Sequence, residues 1–176
     1  MIHMGTITLI TGGARSGKSM QALKLALPYR RKFFVATGEA LDDEMTARIE
    51  FHRTTRPPDF QTVEEPVQVV AAIEKLSKSA DLVVIDCLTL WVSNLMRRHS
   101  ADDDRVLTEA DKLAAALKEA SFASIVVTDE VGSGVVPTDH AESRRFRDLL
   151  GWTNQKIAAV ADQVLLMDAG YPLSLK

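Results

Sequence analysis

Residues 11–19 read Thr-Gly-Gly-Ala-Arg-Ser-Gly-Lys-Ser, and this stretch decides the fold prediction. It fits the phosphate-binding pattern G-x-x-x-x-G-K-[ST], with Gly12, Gly17, Lys18 and Ser19 at the required spacing. In such a loop, successive backbone N–H groups surround nucleotide phosphates, and the N-terminus of the following helix adds a positive dipole. We therefore expect Lys18 to reach the β- and γ-phosphates and the Ser19 hydroxyl to bind Mg²⁺.

The residues on both sides of this stretch support the motif. Residues 6–11 are rich in β-branched side chains and alternate in polarity, which is typical of a strand. Residues 19–27 are good helix formers, and Pro28 ends the run. A chance match in a glycine-rich turn is the alternative, but it does not explain why strand, loop and helix follow in the order that the motif requires.

Composition indicates one globular domain over residues 1–176, since 46% of the 176 residues are hydrophobic. The formal net charge is −3 and no basic block is present, which argues against electrostatic binding to nucleic acid. Cys87 is the single cysteine, so an internal disulfide is impossible and a reducing cytoplasm is expected. We expect neither a signal peptide nor a membrane span, because no apolar run approaches about 18 residues.

Apolar strand-like runs alternate with helical segments along the rest of the chain. Strands are predicted over residues 32–37, 61–63, 82–86, 125–128 and 164–167, and helices over 42–53, 66–78, 88–96, 107–120 and 141–161, the last with a break near Gly151. Residues 97–105 are predicted to form an exposed connection, for which metal binding by the aspartates 102–104 is the minor alternative. The alternation predicts an α/β fold of the P-loop NTPase type. Its mainly parallel sheet has helices on both faces, and residues 173–176 allow a short antiparallel C-terminal arm.

Several polar positions follow directly after predicted strands. Because ligands bind at the carboxyl ends of parallel strands, we expect the glycine loop, Thr37, Asp86 and residues 128–130 to meet at one rim. Asp86 ends an apolar strand, which is the usual place for an acid that helps to hold Mg²⁺ in phosphate-loop proteins. An ordinary helix-capping aspartate is the alternative for this residue.

His52 is a candidate nucleophile. Glu44, Arg48 and His52 are spaced by four and share one face of a predicted helix, where a histidine is usually just solvated. Neutral imidazole is nevertheless abundant near pH 7 and can attack phosphorus to form a phosphoramidate. Arg53 and Arg56 could neutralise the phosphates, or they form a solvated basic patch.

Two carboxylates, Glu64 and Glu65, come immediately before Pro66. One of them could cap the following helix, or it could accept hydrogen bonds from the N1–H and N2–H₂ donors of guanine, and the residues alone leave both readings open. No role is assigned to the other histidines, His3, His99 and His140. Core packing is expected for Cys87, Trp91 and Trp152.

A set of motifs, taken in order, resembles one enzyme family along almost the whole chain. These motifs are TGGARSGKS at 11–19, VATGEALDDEMTARIEFHRTTRP at 35–57, TVEEP at 62–66, VVIDCLTLWVSNLM at 83–96, EVGSGVVP at 130–137, RRFRDLLGWTNQKIAAVAD at 144–162 and the tail AGYPLSLK. The first motif is generic, but the ordered set is highly specific. The chain resembles the bifunctional adenosylcobinamide kinases / adenosylcobinamide-phosphate guanylyltransferases of cobalamin biosynthesis.

The resemblance implies two activities in one fold. The first phosphorylates the aminopropanol hydroxyl of adenosylcobinamide with ATP or GTP. The second transfers GMP from GTP to that phosphate, through a histidine that carries GMP, and gives adenosylcobinamide-GDP and pyrophosphate. The family motif R-I-x-x-H-x-x-x-R-P matches residues 48–57 and assigns this nucleophile to His52. Lys18 is the second residue expected to act in catalysis, through its contact with the phosphates.

The resemblance also implies the nucleotide contacts and a homo-oligomer, namely a trimer. The implied contacts are Gly12, Gly13, Ala14, Arg15, Ser16, Gly17, Lys18, Ser19, Ala36, Thr37, Gly38, Arg53, Thr54, Thr55, Arg56, Glu64 and Asp86. Ser19 and Asp86 would hold Mg²⁺. Relatives often carry asparagine where this chain has Asp129, which exchanges a hydrogen-bond donor for a charge, so Asp129 is left out of the predicted site.

Two other functions compete with this prediction. The chain could be a P-loop small-molecule kinase without a covalent step, or a nucleotide-binding switch whose output is a conformation. No segment suggests the partner surface that a switch would need. The sequence identifies neither the general base of the kinase step nor the residues that contact the corrinoid.

Overall fold

The computed structural model describes residues 5–100 and 102–176, so the predictions for His3 and Ala101 lie outside the described residues. In chain order the strands are β1 (Ile7–Gly12), β2 (Lys32–Ala36), β3 (Phe60–Glu64), β4 (Leu82–Asp86), β5 (Ala123–Val127), β6 (Gln163–Asp168) and β7 (Tyr171–Ser174). The helices are α1 (Lys18–Ala26), α2 (Asp43–Thr55), α3 (Val69–Leu76), α4 (Leu88–His99), α5 (Asp103–Glu119) and α6 (Ala141–Val160).

The strands form one sheet in the order β3-β2-β4-β5-β1-β6-β7. All neighbouring pairs are parallel except β6 and β7, which are antiparallel, so the expected mainly parallel sheet and its C-terminal arm are confirmed. The strand of the arm is Tyr171–Ser174 rather than residues 173–176. In this register Ala36 lies opposite both Glu64 and Asp86, and Asp86 lies opposite Val127. The carboxyl ends of the six parallel strands therefore lie at one edge, where the glycine loop also begins.

Helices cover both faces of the sheet, as predicted. Along β4, Val83 and Ile85 belong to one apolar core, whereas Leu82 and Val84 belong to the other, because successive side chains of a strand point to opposite faces. All four of these side chains are fully buried. The larger core contains residues of α3, α4, α5 and α6, and the smaller one contains residues of α1. A strand buried on both faces explains the uninterrupted apolar run at this position.

Helix α3 begins at Val69, three residues later than the predicted start at Pro66. The cause is Glu65, whose Oε1 accepts hydrogen bonds from the backbone N–H groups of Val67 (3.0 Å) and Gln68 (2.7 Å). These bonds hold the residues before α3 in a turn, because a side-chain acceptor offers the backbone an alternative to helix. Glu65 therefore precedes the helix and holds this turn, while the N-cap residue Gln68 makes no side-chain capping bond.

The predicted connection over residues 97–105 is too long. Helix α4 continues to His99 and α5 begins at Asp103. The Asp102 carboxylate accepts a hydrogen bond from the N–H of Arg105 at 3.1 Å, and Asp103 and Asp104 lie in the first turn, where negative charge interacts well with the helix dipole. The acidic run is therefore a helix N-terminus.

Two expectations for the last long helix are also wrong. Helix α6 is unbroken at Gly151, where a Cβ atom would meet no atom within 4 Å. Trp152 on the same helix is 47% exposed, whereas Trp91 in α4 is completely buried and fits the expected core role. None of the helices in the two described ranges is long and apolar enough to cross a bilayer.

The two tryptophans provide a matched test of the core. Trp91 donates a hydrogen bond from Nε1 to the carbonyl oxygen of Val67 at 2.9 Å and lies in the larger core. We expect Trp91→Ala to lower the free energy of unfolding by about 3–5 kcal/mol, because it leaves a large cavity. Trp152→Ala should change it by about 0.5 kcal/mol or less, because that ring is half exposed.

Urea unfolding monitored by circular dichroism measures both effects. Because all the described strands belong to one sheet, the one-domain prediction is that each protein unfolds in a single transition. Equal losses in the two variants would contradict the core role of Trp91.

Candidate active site

The loop after β1 adopts a backbone that requires glycine. Gly12 has φ 149° and Gly17 has φ 99°, which are conformations that residues with a Cβ rarely adopt. A Cβ at Gly12 would lie 2.4 Å from the carbonyl oxygen of Met167, and one at Gly17 would lie 3.2 Å from Cα of Gly170. The loop is thus packed against β6 and the turn that follows it, with no room for side chains at these two positions.

Lys18, at the start of α1, is held inside the loop. Its ammonium group donates a hydrogen bond to the carbonyl oxygen of Gly13 at 2.6 Å and forms an ion pair with Asp129 Oδ1 at 2.8 Å. Lys18 is only 9% exposed. Because a lysine is rarely buried without a partner, these two contacts explain how the cationic group is tolerated here.

Ser19 and Asp86 meet although they are 67 residues apart. The Ser19 hydroxyl donates a hydrogen bond to Asp86 Oδ2 at 3.1 Å. Burial raises the pKa of the Asp86 carboxyl above its ordinary value, while the bond from Ser19 and the positive potential of His52 oppose this effect. A hydroxyl and a carboxylate are the hard oxygen ligands that Mg²⁺ prefers, and a cation would stabilise the buried charge. The two side chains therefore fit a magnesium ion.

Thr37 lies behind the cleft rather than in it. It is fully buried, its hydroxyl donates to the carbonyl oxygen of Cys87 at 2.7 Å, and the same oxygen accepts the N–H of Cys87 at 2.9 Å. The backbone N–H of Thr37 donates to the carbonyl oxygen of Asp86 at 3.2 Å. These bonds hold the end of β4, so Thr37 supports the position of the Asp86 carboxylate.

A cleft of about 930 Å³ lies over this edge of the sheet. It brings together most of the predicted site residues, namely Ala14, Arg15, Ser16, Gly17, Lys18, Ser19, Ala36, Gly38, His52, Arg53, Arg56, Glu64 and Asp86. The predicted contacts that do not line it are Gly12, Gly13, Thr37, Thr54 and Thr55. Of these, the hydroxyls of Thr54 and Thr55 donate to backbone carbonyl groups of α2.

Helix α2 carries His52 to the mouth of the cleft. The helix is capped by Asp42, whose carboxylate accepts the N–H of Met45 at 2.7 Å, and none of its residues is buried. Arg48 and His52 both line the cleft, and Arg48 binds Glu44 at 2.6 Å, as their spacing by four predicts. The imidazole is exposed and faces the same space as the glycine loop.

The side chain of Arg56, the residue after α2, lies against β2 and β3 near Glu64, the last residue of β3. The Arg56 guanidinium stacks 3.6 Å from the ring centroid of Phe34 and donates to the Thr62 hydroxyl at 2.6 Å. Burial lowers the pKa of Arg56, while Asp86 and Glu64 oppose that effect. The side chain nevertheless stays charged, since an arginine does not deprotonate in proteins. This part of the cleft thus offers a planar cation and an exposed carboxylate.

Sequence reasoning left Asp129 out and did not propose several apolar residues that line the cleft. The apolar residues are Met20, Phe34, Met45, Ile49, Phe51, Leu90 and Val127. The signal for Asp129 was available, because it follows directly after β5 at the carboxyl edge. Cys87 also lines the cleft, but burial raises the pKa of its thiol to about 12, so it is a poor nucleophile near neutral pH.

Comparison with known proteins identifies the family. A family model described as cobinamide kinase / cobinamide phosphate guanyltransferase matches residues 8–175. The chain belongs to this family. It is therefore a transferase of the kinase and guanylyltransferase type for which the family is named.

Two relatives match almost end to end. The bifunctional adenosylcobalamin biosynthesis protein CobU of Escherichia coli K12 is 36% identical, and the match covers 96% of this chain and 98% of the relative. The bifunctional adenosylcobalamin biosynthesis protein CobP of Pseudomonas aeruginosa is 40% identical, with 96% of both chains covered. Among solved structures, the RadB recombinase matches with a TM-score of 0.51 over 94% of this chain and 75% of its own, at 19% identity. That likeness concerns the fold alone.

The raised pKa of Asp86 predicts a stability effect with a definite sign. At neutral pH a carboxyl with a raised pKa is less favourable in the folded protein than in the unfolded chain, so it lowers the free energy of unfolding. We expect Asp86→Asn to raise that free energy in the nucleotide-free protein. The gain is full above the raised pKa and is lost as the pH falls through it towards the ordinary carboxyl value of about 4.

Asp81 is the matched control, because the pKa of its carboxyl is shifted in the opposite direction. The hydrogen bond from the Arg31 side chain holds the pKa of the Asp81 carboxyl below its ordinary value. Asp81→Asn should therefore lower the free energy of unfolding at neutral pH, and the loss should disappear as the pH falls through the lowered pKa. Urea unfolding from about pH 8 to about pH 4 distinguishes the two, because over this range the gain from Asp86→Asn declines while the loss from Asp81→Asn persists. Destabilisation by Asp86→Asn at neutral pH would contradict the assigned effect of burial.

Proposed function

We propose that this chain phosphorylates adenosylcobinamide with ATP or GTP and then transfers GMP from GTP to adenosylcobinamide phosphate through a GMP–His52 intermediate. The observation that carries the proposal is that one cleft is lined both by the phosphate loop, with Lys18, and by the exposed imidazole of His52. Family membership supplies the two reaction types. A simple kinase would not need an imidazole in this space.

The transfer begins at the α-phosphorus of GTP. A ring nitrogen of His52 attacks this atom, a P–N bond forms, and the bond from the α-phosphorus to the bridging oxygen breaks, so that pyrophosphate leaves. The loop N–H groups and Lys18 hold the β- and γ-phosphates that become the leaving group. Arg53 and Arg56, which line the same cleft, neutralise charge as it develops.

The second displacement regenerates the histidine. A phosphate oxygen of adenosylcobinamide phosphate attacks the phosphorus of the GMP–His52 adduct, the P–N bond breaks, and adenosylcobinamide-GDP is formed. Splitting the transfer in this way lets one cleft act on GTP and on the corrinoid in turn, so the two large substrates need not be bound together.

The kinase step uses the loop in another way. The hydroxyl of adenosylcobinamide attacks the γ-phosphorus of ATP or GTP, and the nucleoside diphosphate leaves. Phosphoryl transfer depends mainly on positioning and on charge neutralisation, which Lys18 and the loop N–H groups supply. Ser19 and Asp86 are the residues that would hold Mg²⁺, which neutralises phosphate charge when it is bound.

Glu64 is proposed to contribute to guanine selection. Glu65, not Glu64, accepts the hydrogen bonds that hold the turn before α3, and Glu64 is exposed and lines the cleft. A carboxylate can accept hydrogen bonds from guanine N1–H and N2–H₂, whereas adenine lacks this pair of donors.

We also propose a homo-oligomer, a trimer by family resemblance. A monomeric mass in light scattering would contradict this assembly.

The covalent step has a direct test. Incubation with GTP labelled at the α-phosphate, followed by denaturation, should leave an acid-labile and base-stable label on the wild-type protein. His52→Ala should abolish that label and lower guanylyl transfer by about 1,000-fold or more, because no other group replaces the nucleophile. The kinase step should change by no more than about tenfold.

His140→Ala is the matched control, since His140 lies before α6 and lines a separate cavity of about 500 Å³. It should keep both activities and the label. Equal loss of both activities in His52→Ala would mean that the residue is structural. Transfer of the γ-phosphate without any α-label on the wild type would favour the simple kinase, and nucleotide binding without either activity would favour the switch.

The same assays test the phosphate loop. Lys18→Ala should lower both activities by about 100-fold or more, because both steps need the phosphates held in place. Lys24→Ala, an exposed lysine on the same helix, provides the control with the same change in charge. Wild-type turnover in Lys18→Ala would contradict the proposed position of the nucleotide.

A further inference from the structure

The backbone of Asp129 is held from three sides at the floor of the cleft. Its N–H donates to the Thr89 hydroxyl at 2.9 Å, and its carbonyl oxygen accepts from Asn154 Nδ2 at 3.1 Å. The next residue, Glu130, donates its N–H to the carbonyl oxygen of Gly12 at 3.1 Å. These bonds tie the end of β5 to α4, to α6 and to the glycine loop. The backbone that carries the Asp129 carboxylate is therefore fixed in position.

That carboxylate points at the lysine of the phosphate loop. Asp129 Oδ1 lies 2.8 Å from Lys18 Nζ, and both residues line the cleft that contains the loop. The Lys18 side chain is 10% exposed and that of Asp129 is 29% exposed, so the pair is only weakly screened by water. The positive charge that the loop would offer to a phosphate is thus neutralised by the protein itself.

We infer that Asp129 takes, in the free protein, the place on Lys18 that a nucleotide phosphate takes in the complex, so that nucleotide binding exchanges one anion for another. The inference rests on the proposed function, in which Lys18 holds the β- and γ-phosphates. A phosphate that reaches Lys18 meets the Asp129 carboxylate at close range, and like charges repel more strongly at a half-buried position than in bulk water. Asp129 must give up its contact with Lys18 for the phosphate to bind.

The exchange makes Asp129 favourable for the stability of the nucleotide-free protein and unfavourable for nucleotide binding. Asp129 stabilises the nucleotide-free protein, because a buried ammonium group without a partner is costly. It also weakens nucleotide binding, because the ion pair must be broken first. Asp129 thereby acts as a positioning residue that keeps Lys18 directed into the loop between turnovers, and it sets how tightly substrate and product are held.

Asp129→Asn separates this role from an ordinary structural one. The change keeps the shape and removes the charge. Both measurements use the His52→Ala background, in which no GMP adduct can form. There we expect the Kd for GTP, measured by calorimetry with Mg²⁺ and again with EDTA, to fall by about 5–10-fold when Asp129 is replaced. The melting temperature without nucleotide should fall by about 3–6 °C, and saturating GTP should reduce the difference from the protein with Asp129 to about 1 °C.

Asp148→Asn is the control, because it removes an exposed carboxylate of α6 that lies outside the cleft and changes the net charge equally. It should leave both the Kd and the melting temperature unchanged. Asp129→Ser provides a second variant without the charge, should the asparagine variant fail to fold without nucleotide.

Three results would overturn the inference. An unchanged or higher Kd in Asp129→Asn would show that the carboxylate does not compete with phosphate. A loss of melting temperature that persists with saturating GTP would mean that Asp129 is a structural residue in both states. Absence of GTP binding by wild type and variant alike would instead contradict the proposed position of the nucleotide, and the exchange with it.

Discussion

The cleft depends on the parallel pairing of β2, β4, β5 and β1. Parallel strands end at the same edge of a sheet, and the observed register places Asp86 opposite Ala36 and Val127. The N–H of Thr128 then donates to the carbonyl oxygen of Ile10 at 2.9 Å, which aligns the end of β5 with the end of β1. Only in this alignment do the loop, the acid after β4 and the acid after β5 share one space. A slip by one residue would turn these side chains to other faces.

The charges of the cleft differ from those of the whole chain. The formal net charge is −3, yet the cleft is lined by Arg15, Lys18, Arg48, Arg53 and Arg56 against three carboxylates. Removing charged groups from water in this half-buried space is unfavourable for the free protein, and burial raises the pKa of Asp86 and lowers that of Arg56. Two apolar cores, one on each face of the sheet, supply the stability that tolerates this arrangement. Under the proposed function, the same charges would become favourable when phosphates and a cation bind.

Local sequence patterns predicted which strands and helices form more accurately than they predicted where each one begins and ends. The alternation of apolar strands and amphipathic helices identified every strand and helix of the described residues, because periodicity reports which face is buried. The starts of α3 and α5 differ from the predicted ones because the carboxylates of Glu65 and Asp102 accept particular backbone N–H groups. The sequence offers several neighbouring carboxylates for each helix start, and the choice depends on how the chain enters the packed core.

The residues alone determined the phosphate loop, the mainly parallel α/β fold and the antiparallel arm, because glycine conformations and strand periodicity are local properties. Tertiary structure decided which polar side chains face the cleft. Thr37 and Asp129 both follow strands at the same edge, yet Thr37 turns inward to Cys87, 50 residues away, while Asp129 reaches Lys18. Side-chain direction depends on partners from distant segments, and only the packed sheet brings those partners together.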